Sequence, residues 1–214
     1  MKSLTSKGFT LIELLVVIAI IAILAVVVVL TLNPAQLLAQ SRDSNRVSDF
    51  ATLKSAIALY QADVSSTSMG SQGTVYAAYA GANVPGNAST TWTATSTAAG
   101  WGFASGDANT VVTSTLRGVA GTNSGWLPIN FSLISSGAPF GSEPVDPLGT
   151  GQNSSCQGSQ AICMYTYTVN GSNQFKLAAK MESTKYMNGG SNDVETSDGG
   201  NSAYVYEQGT NVGL

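Results

Sequence analysis

The stretch KGFTLIELLVVIAIIAILAVVVVL (Lys7–Leu30) contains one charged side chain beyond its first residue, Glu13. From Phe9 to Leu32, 18 of 24 residues are Phe, Leu, Ile or Val. A helix rising about 1.5 Å per residue would span roughly 36 Å over that length, enough to cross a bilayer core. Those aliphatic and aromatic side chains favour insertion by something on the order of 5 to 11 kcal/mol, against about 2.5 to 3.5 for a carboxylate at the helix centre. Insertion therefore wins with Glu13 in place. Lys2 and Lys7 precede the run, so the positive-inside rule puts residues 33–214 on the far side of the membrane. A cleaved secretory signal fits poorly. The apolar run is about twice as long as such a region, and Ala22 and Ala25 lie inside it, with no small-x-small site after it.

The rest of the composition narrows the chemistry. The chain has 214 residues, 12 acidic and 9 basic, a net charge of −3 and no histidine. That length suits one domain with a real core and an appendage. A charged fraction of 10% is low for a cytosolic protein, and abundant Gly, Ser, Thr and Asn suit an extracellular surface. No basic footprint for nucleic acid is present. Without histidine there is no Ser-His-Asp arrangement and no base for Cys156 or Cys163. Gly100–Gly106, GWGFASG, imitates a dinucleotide loop but has the wrong spacing. The expectation is a protein that is not an enzyme.

Gly8-Phe9-Thr10-Leu11-Ile12-Glu13, after a short basic leader and before unbroken oil, resembles the processing site of type IV prepilins and type II secretion pseudopilins. The resemblance implies that residues 1–8 are a leader removed between Gly8 and Phe9 by a prepilin peptidase, which also methylates the new Phe9 amine. It implies a cytoplasmic-membrane precursor crossing once with its head outside, and then a cell-surface filament. It also implies a homo-oligomer built by pilus or type II secretion assembly machinery. The family pairs Glu13 with the positive Phe9 amine of a neighbouring subunit. A carboxylate in hydrocarbon seeks such a partner. The competing reading of Glu13 is a tolerated interfacial residue. The pilin fold that goes with the resemblance is α+β: a long N-terminal helix, half membrane-spanning and half amphipathic, packed on a small antiparallel sheet. Alternatives to a pilus subunit are a secretion pseudopilin or a minor pilin of adhesion or DNA uptake. A different class is a single-pass surface binding protein that never polymerises.

Along the chain, residues 9–32 read as the membrane and filament-core half of the helix, and 33–64 as its amphipathic half. Val47, Phe50, Leu53, Ile57, Tyr60 and Val64 recur at spacings of three and four, and this stripe should lie on a sheet. Arg42, Asp43, Arg46, Asp49 and Lys54 are expected mostly off it. Pro34 cannot donate to the Leu30 carbonyl, so a kink is expected near Asn33. Residues 65–214 form the head. Within it, 65–125 reads as a Ser/Thr/Gly-rich connecting loop, with TVYAAYA and TVVTSTL as short candidate strands. Four prolines then punctuate 128–147 into turns, including the PVDP element. An antiparallel sheet is expected at about 160–210, with a hairpin around NGSN and a last strand in AYVYEQ. Cys156 and Cys163, two in number and outside the membrane, read as a disulfide, with two free thiols as the alternative. Asp193, Glu195, Asp198 and Asn201 gather oxygen ligands in a Gly-rich loop. They are candidate calcium ligands or a solvated turn, and major pseudopilins carry calcium in such a C-terminal loop.

Overall fold

The computed structural model of the chain describes residues 8–78, 91–92, 109–121, 124–148 and 163–214. Contacts divide the chain into two units, residues 1–38 and 39–214.

The first unit is built on helix α1 (Leu11–Leu32). Unbroken β-branched and leucine side chains leave no polar face to set an orientation, and its large side chains are exposed all round. The span Leu11–Val29 has a mean hydropathy of 3.4 and is long and apolar enough to cross a membrane. Near its end the Thr31 hydroxyl donates back to the Val27 and Val28 carbonyls at 3.0 and 3.1 Å. The helix stops at Asn33, whose backbone is left-handed (φ 41°, ψ 77°). Asparagine is one of the few side chains that tolerates this conformation. Helix α2 (Pro34–Asp63) then opens on proline, at the first helical position, where the missing N–H is no loss. The break expected near Asn33 lies there.

In the second unit, α2 buries Phe50, Leu53, Ile57 and Tyr60 completely or nearly so. Each contributes about 1.5 to 3 kcal/mol on leaving water. They pack on one face of a sheet with strand order β2-β3-β1-β4-β5-β6. The strands are β1 (Thr74–Ala78), β2 (Thr91–Trp92), β3 (Asn109–Ser114), β4 (Thr166–Val169), β5 (Phe175–Ala179) and β6 (Tyr206–Gly209). β1, β4, β5 and β6 form a four-stranded antiparallel sheet, while β3 runs parallel to β1 on its other side. The expected α+β arrangement of long helix and small antiparallel sheet is therefore present. Phe50 meets Tyr165 edge-on at 5.0 Å and stacks on Tyr206 at 5.8 Å, which fixes the helix across β4 and β6.

β1 falls on the candidate strand TVYAAYA, but the sheet reaches outside the expected 160–210 to include it. This strand comes from the segment read as a connecting loop, yet all five residues are buried and it lies inside the sheet. Its partners, β3 and β4, start 35 and 92 residues after it begins (Thr74 to Asn109 and Thr166). The run is visible as a strand, but its distant partners are not. The β4–β5 hairpin closes as expected: the Asn170 side chain accepts from the Ser172 and Gln174 amides, and Asn173 takes a left-handed backbone (φ 57°).

Candidate functional site

At the start of α1 the chain forms a capping box. Glu13 N–H donates to Thr10 Oγ1 at 3.3 Å, and Glu13 Oε2 accepts from the Thr10 amide (2.8 Å) and hydroxyl (2.7 Å). Glu13 is thus held by its own helix entry, at the end where the helix dipole favours negative charge. Gly8 has open space around it and Phe9 is 78% exposed, so the bond between them is accessible. Cleavage there would leave the Thr10 amide, hydroxyl and Glu13 intact, and the box with them.

The head holds a polar constellation that the stripe reading misplaced. Asp43 and Arg46 are completely buried. Ala39, Asp43, Arg46, Phe50, Leu53, Ile57 and Tyr60 follow one alternation of four and three, so the two charges sit on the core-facing stripe itself. Arg46 forks onto Asp146 with two bonds of 2.7 Å, reaches Asp43 at 2.8 Å, and pairs with Glu182. Asp43 in turn accepts from the Glu182 and Ser183 amides at 2.9 and 2.8 Å. Arg42 adds a fork onto Glu182. Burial alone would favour a neutral Arg46, but its bonds to Asp146 and Glu182 outweigh this and raise its pKa. For Glu182, burial pushes the carboxyl up, and the hydrogen bond from Arg42 with the charge and bond of Arg46 brings it below its ordinary value. The i, i+3 spacing of Asp43 and Arg46 was the signal available in the sequence, together with Asp146 in the PVDP turn.

Cys163 Sγ lies with Asp146 and Glu182 carboxylate oxygens inside 4.8 Å of one another, a spacing that could hold a metal ion. These carboxylates already enclose the Arg46 guanidinium, which supplies the positive charge they require. Cys163 is disulfide-bonded, so it offers no thiolate. Its expected partner, Cys156, lies outside the described residues.

The candidate calcium residues are spent separately. Asp193 caps a turn, accepting from the Gly189, Glu195 and Thr196 amides and the Thr196 hydroxyl. Buried Glu195 accepts from Met181 and Asn188 amides. Asp198 accepts from the Gly200 and Glu207 amides, and Asn201 Oδ1 accepts from Lys176. Among the described residues Asp193, Glu195 and Asp198 form no ligand group within metal-binding reach of one another. Their oxygens close the backbone of the C-terminal loop.

The chain thus carries an exposed apolar helix long enough to cross a membrane, a carboxylate fixed in its first turn, and a small α+β unit. Residues 4–29 match the family described as the prokaryotic N-terminal methylation motif, the signature of type IV prepilins and pseudopilins. No curated protein matches the chain, and no solved structure does. The match covers 26 of the 214 residues, in the leader and the apolar helix.

Proposed function

We propose that the chain is the subunit of a type IV pilus-like surface filament, assembled by self-association after a prepilin peptidase removes residues 1–8 and methylates Phe9. The carrying observation is the capped Glu13 in the first turn of a helix whose every face is apolar and exposed. Such a helix needs lipid or other copies of itself around it. The capping box gives Glu13 a local partner while the subunit is in lipid. In a bundle of helices the charged Phe9 amine of a neighbour adds the positive charge that the box lacks, so each subunit is seated at one axial position. The head then sits on the outer surface, braced by the Arg46 node. A disulfide between Cys156 and Cys163 closes the loop before β4. The pseudopilin reading shares all of these steps and differs only in the machinery that polymerises it.

The test has two readouts. Mass spectrometry of the mature protein should show methylated Phe9 as its N-terminus. Glu13→Ala should reach the membrane in wild-type amount and yield few or no filaments, since one unpaired amine then enters each apolar core position. Losing one partner of a buried pair costs about 3 to 5 kcal/mol. Abundant filaments from a cleaved, methylated Glu13→Ala protein would overturn the role given to Glu13. Cleavage near Ala22–Ala25 would overturn the filament reading itself.

A further inference from the structure

The face of the sheet turned away from α2 carries a second buried polar group. On β5, Phe175, Leu177 and Ala179 join the core, so alternation sends Lys176 to the opposite face. On β6, Tyr206 joins the core and Glu207 goes the same way as Lys176. Both side chains are fully buried. Residues 198–202 bear directly on this pair: a Cβ at Gly200 would fall 1.8 Å from Glu207 Oε2. Lys176 Nζ lies 3.1 Å from Glu207 Oε1 and 3.3 Å from Asn201 Oδ1, and it also donates to the Leu214 main-chain oxygen. Glu207 Oε2 accepts from the Ser202 amide at 3.0 Å. Oε1 has only the lysine beside it among the described residues. Asn201 is exposed on its other side, with Nδ2 3.4 Å from the Gly213 carbonyl oxygen.

We propose that Lys176, Asn201 and Glu207 are an autocatalytic isopeptide site, in which the lysine amine and the asparagine amide condense into a covalent cross-link between β5 and the loop before β6. The chemistry needs a desolvated amine, an amide within reach, and a carboxyl group that can carry a proton between them. A buried ammonium–carboxylate pair readily becomes a neutral amine and carboxylic acid, because desolvation penalises both charges. The free Nζ lone pair then attacks Asn201 Cγ, one bond beyond the oxygen it now touches. Held on a rigid strand, the amine acts at high effective concentration. The Nζ–Cγ bond forms while Oδ1 takes up negative charge, and the Glu207 proton neutralises it. The tetrahedral centre collapses with loss of Nδ2, which leaves as ammonia with the proton shed by Nζ and returned through Glu207. Ammonia departs on the exposed side of Asn201. One C–N bond forms, one breaks, and no oxidant, reductant or cofactor is consumed. Glu207 is the catalytic residue, since it touches the reacting amine. The cross-link is independent of the filament reading and would hold whether or not the chain polymerises.

The test is the mass of the full mature chain after reduction and alkylation. The expected value is lighter by one ammonia than the sequence requires. An amine cross-linked at Lys176 also blocks trypsin there. Digestion should therefore yield residues 118–180 joined to residues 186–214, with fragmentation placing the bond at 176 and 201. Loss of ammonia without the joined peptide is succinimide at Asn170-Gly171 or Asn188-Gly189 and overturns the proposal. So does Lys176 that reacts with an amine reagent after denaturation and is cut by trypsin. Asn201→Ala changes an exposed side chain and should abolish the joined peptide while the head stays folded. Glu207→Gln should leave both residues unlinked, and a wild-type yield of the joined peptide from it would overturn the catalytic role. Should Glu207→Gln fail to fold, the wild-type and Asn201→Ala masses still decide.

Discussion

Arg46 occupies a position that the helical repeat reserves for an apolar side chain. Its guanidinium is enclosed by Asp43, Asp146 and Glu182, from the helix itself, the PVDP turn and the segment after β5. One side chain thus ties three distant parts of the chain together through a planar fork that lysine could not reproduce. Removing it would leave Asp146 without its cation and Asp43 and Glu182 with only the Glu182 and Ser183 amides and Arg42 to hold them. Arg46→Met should destabilise the head by about 3 to 5 kcal/mol, measured by urea unfolding of residues 33–214. Lys54→Met is the control. Lys54 is exposed and donates to Gln208, so its loss should stay within about 0.5 kcal/mol. Equal effects from both would show that the node is no more than surface pairing.

The N-terminal element was the most legible part of the sequence, because one physical property, hydrophobicity over more than 18 residues, decides it. The helix break was legible too: Pro34 removes a donor, and Asn33 is a residue that accepts left-handed backbone. Replacing both, N33L/P34A, should restore the bond to the Leu30 carbonyl and fuse α1 with α2. Hydrogen exchange in detergent micelles would then show slow amides at 34 and 35, whereas in the wild type position 34 has no amide and Gln36 already donates to the Asn33 carbonyl oxygen. Unchanged exchange would mean that the break is imposed from elsewhere. The hairpin was legible from its alternation and its NGSN turn. β1 and β3 were legible as the short runs TVYAAYA and TVVTSTL, but their place in the main sheet was not, because the strands they pair with lie far along the chain. Asp43 and Arg46 were missed because charge was taken as a sign of the solvent face. Burial depends on whether a partner is available, and Asp146 and Glu182 lie 100 and 136 residues beyond Arg46 (146 − 46 and 182 − 46).

The head as a whole carries its own core and is expected to be soluble and folded as residues 33–214 without detergent, which allows its acid–base balance to be measured. Glu143 dominates that balance. It is buried, with Oε2 accepting from the Trp126 and Leu127 amides at 2.7 and 3.0 Å. Oε1 has no hydrogen-bond partner among the described residues. A Cβ at Gly125 would fall 2.3 Å from the Gly118 carbonyl oxygen and 2.4 Å from Glu143 Oε1, so the two oxygens face one small space. A buried carboxylate oxygen with no donor favours the protonated form. Burial accordingly pushes the Glu143 carboxyl up to about 7, against the two amide bonds that favour its ion. Nearby charges are engaged elsewhere: Arg117 donates to the Glu143 peptide oxygen, and Asp146 is held by Arg46. A carboxyl raised on folding stabilises fully below its ordinary value near 4.5 and loses that contribution as pH rises through 7. Asp49, Glu195, Asp198 and Glu207, all raised chiefly by burial, act with the same sign. Glu182, held low against its burial by Arg42 and Arg46, acts oppositely and is lost in acid. The head should therefore be most stable at mildly acidic pH and weaken from about pH 5 to pH 8, by on the order of 3 kcal/mol from Glu143 alone. Glu143→Gln places an amide donor opposite Gly118 and does not ionise. It should flatten that slope and be the more stable protein at pH 8, while matching the wild type near pH 5. A wild-type stability that rises between pH 5 and 8, or a slope unchanged in Glu143→Gln, would show that the carboxyl is ionised in the folded head throughout and that a donor reaches Oε1.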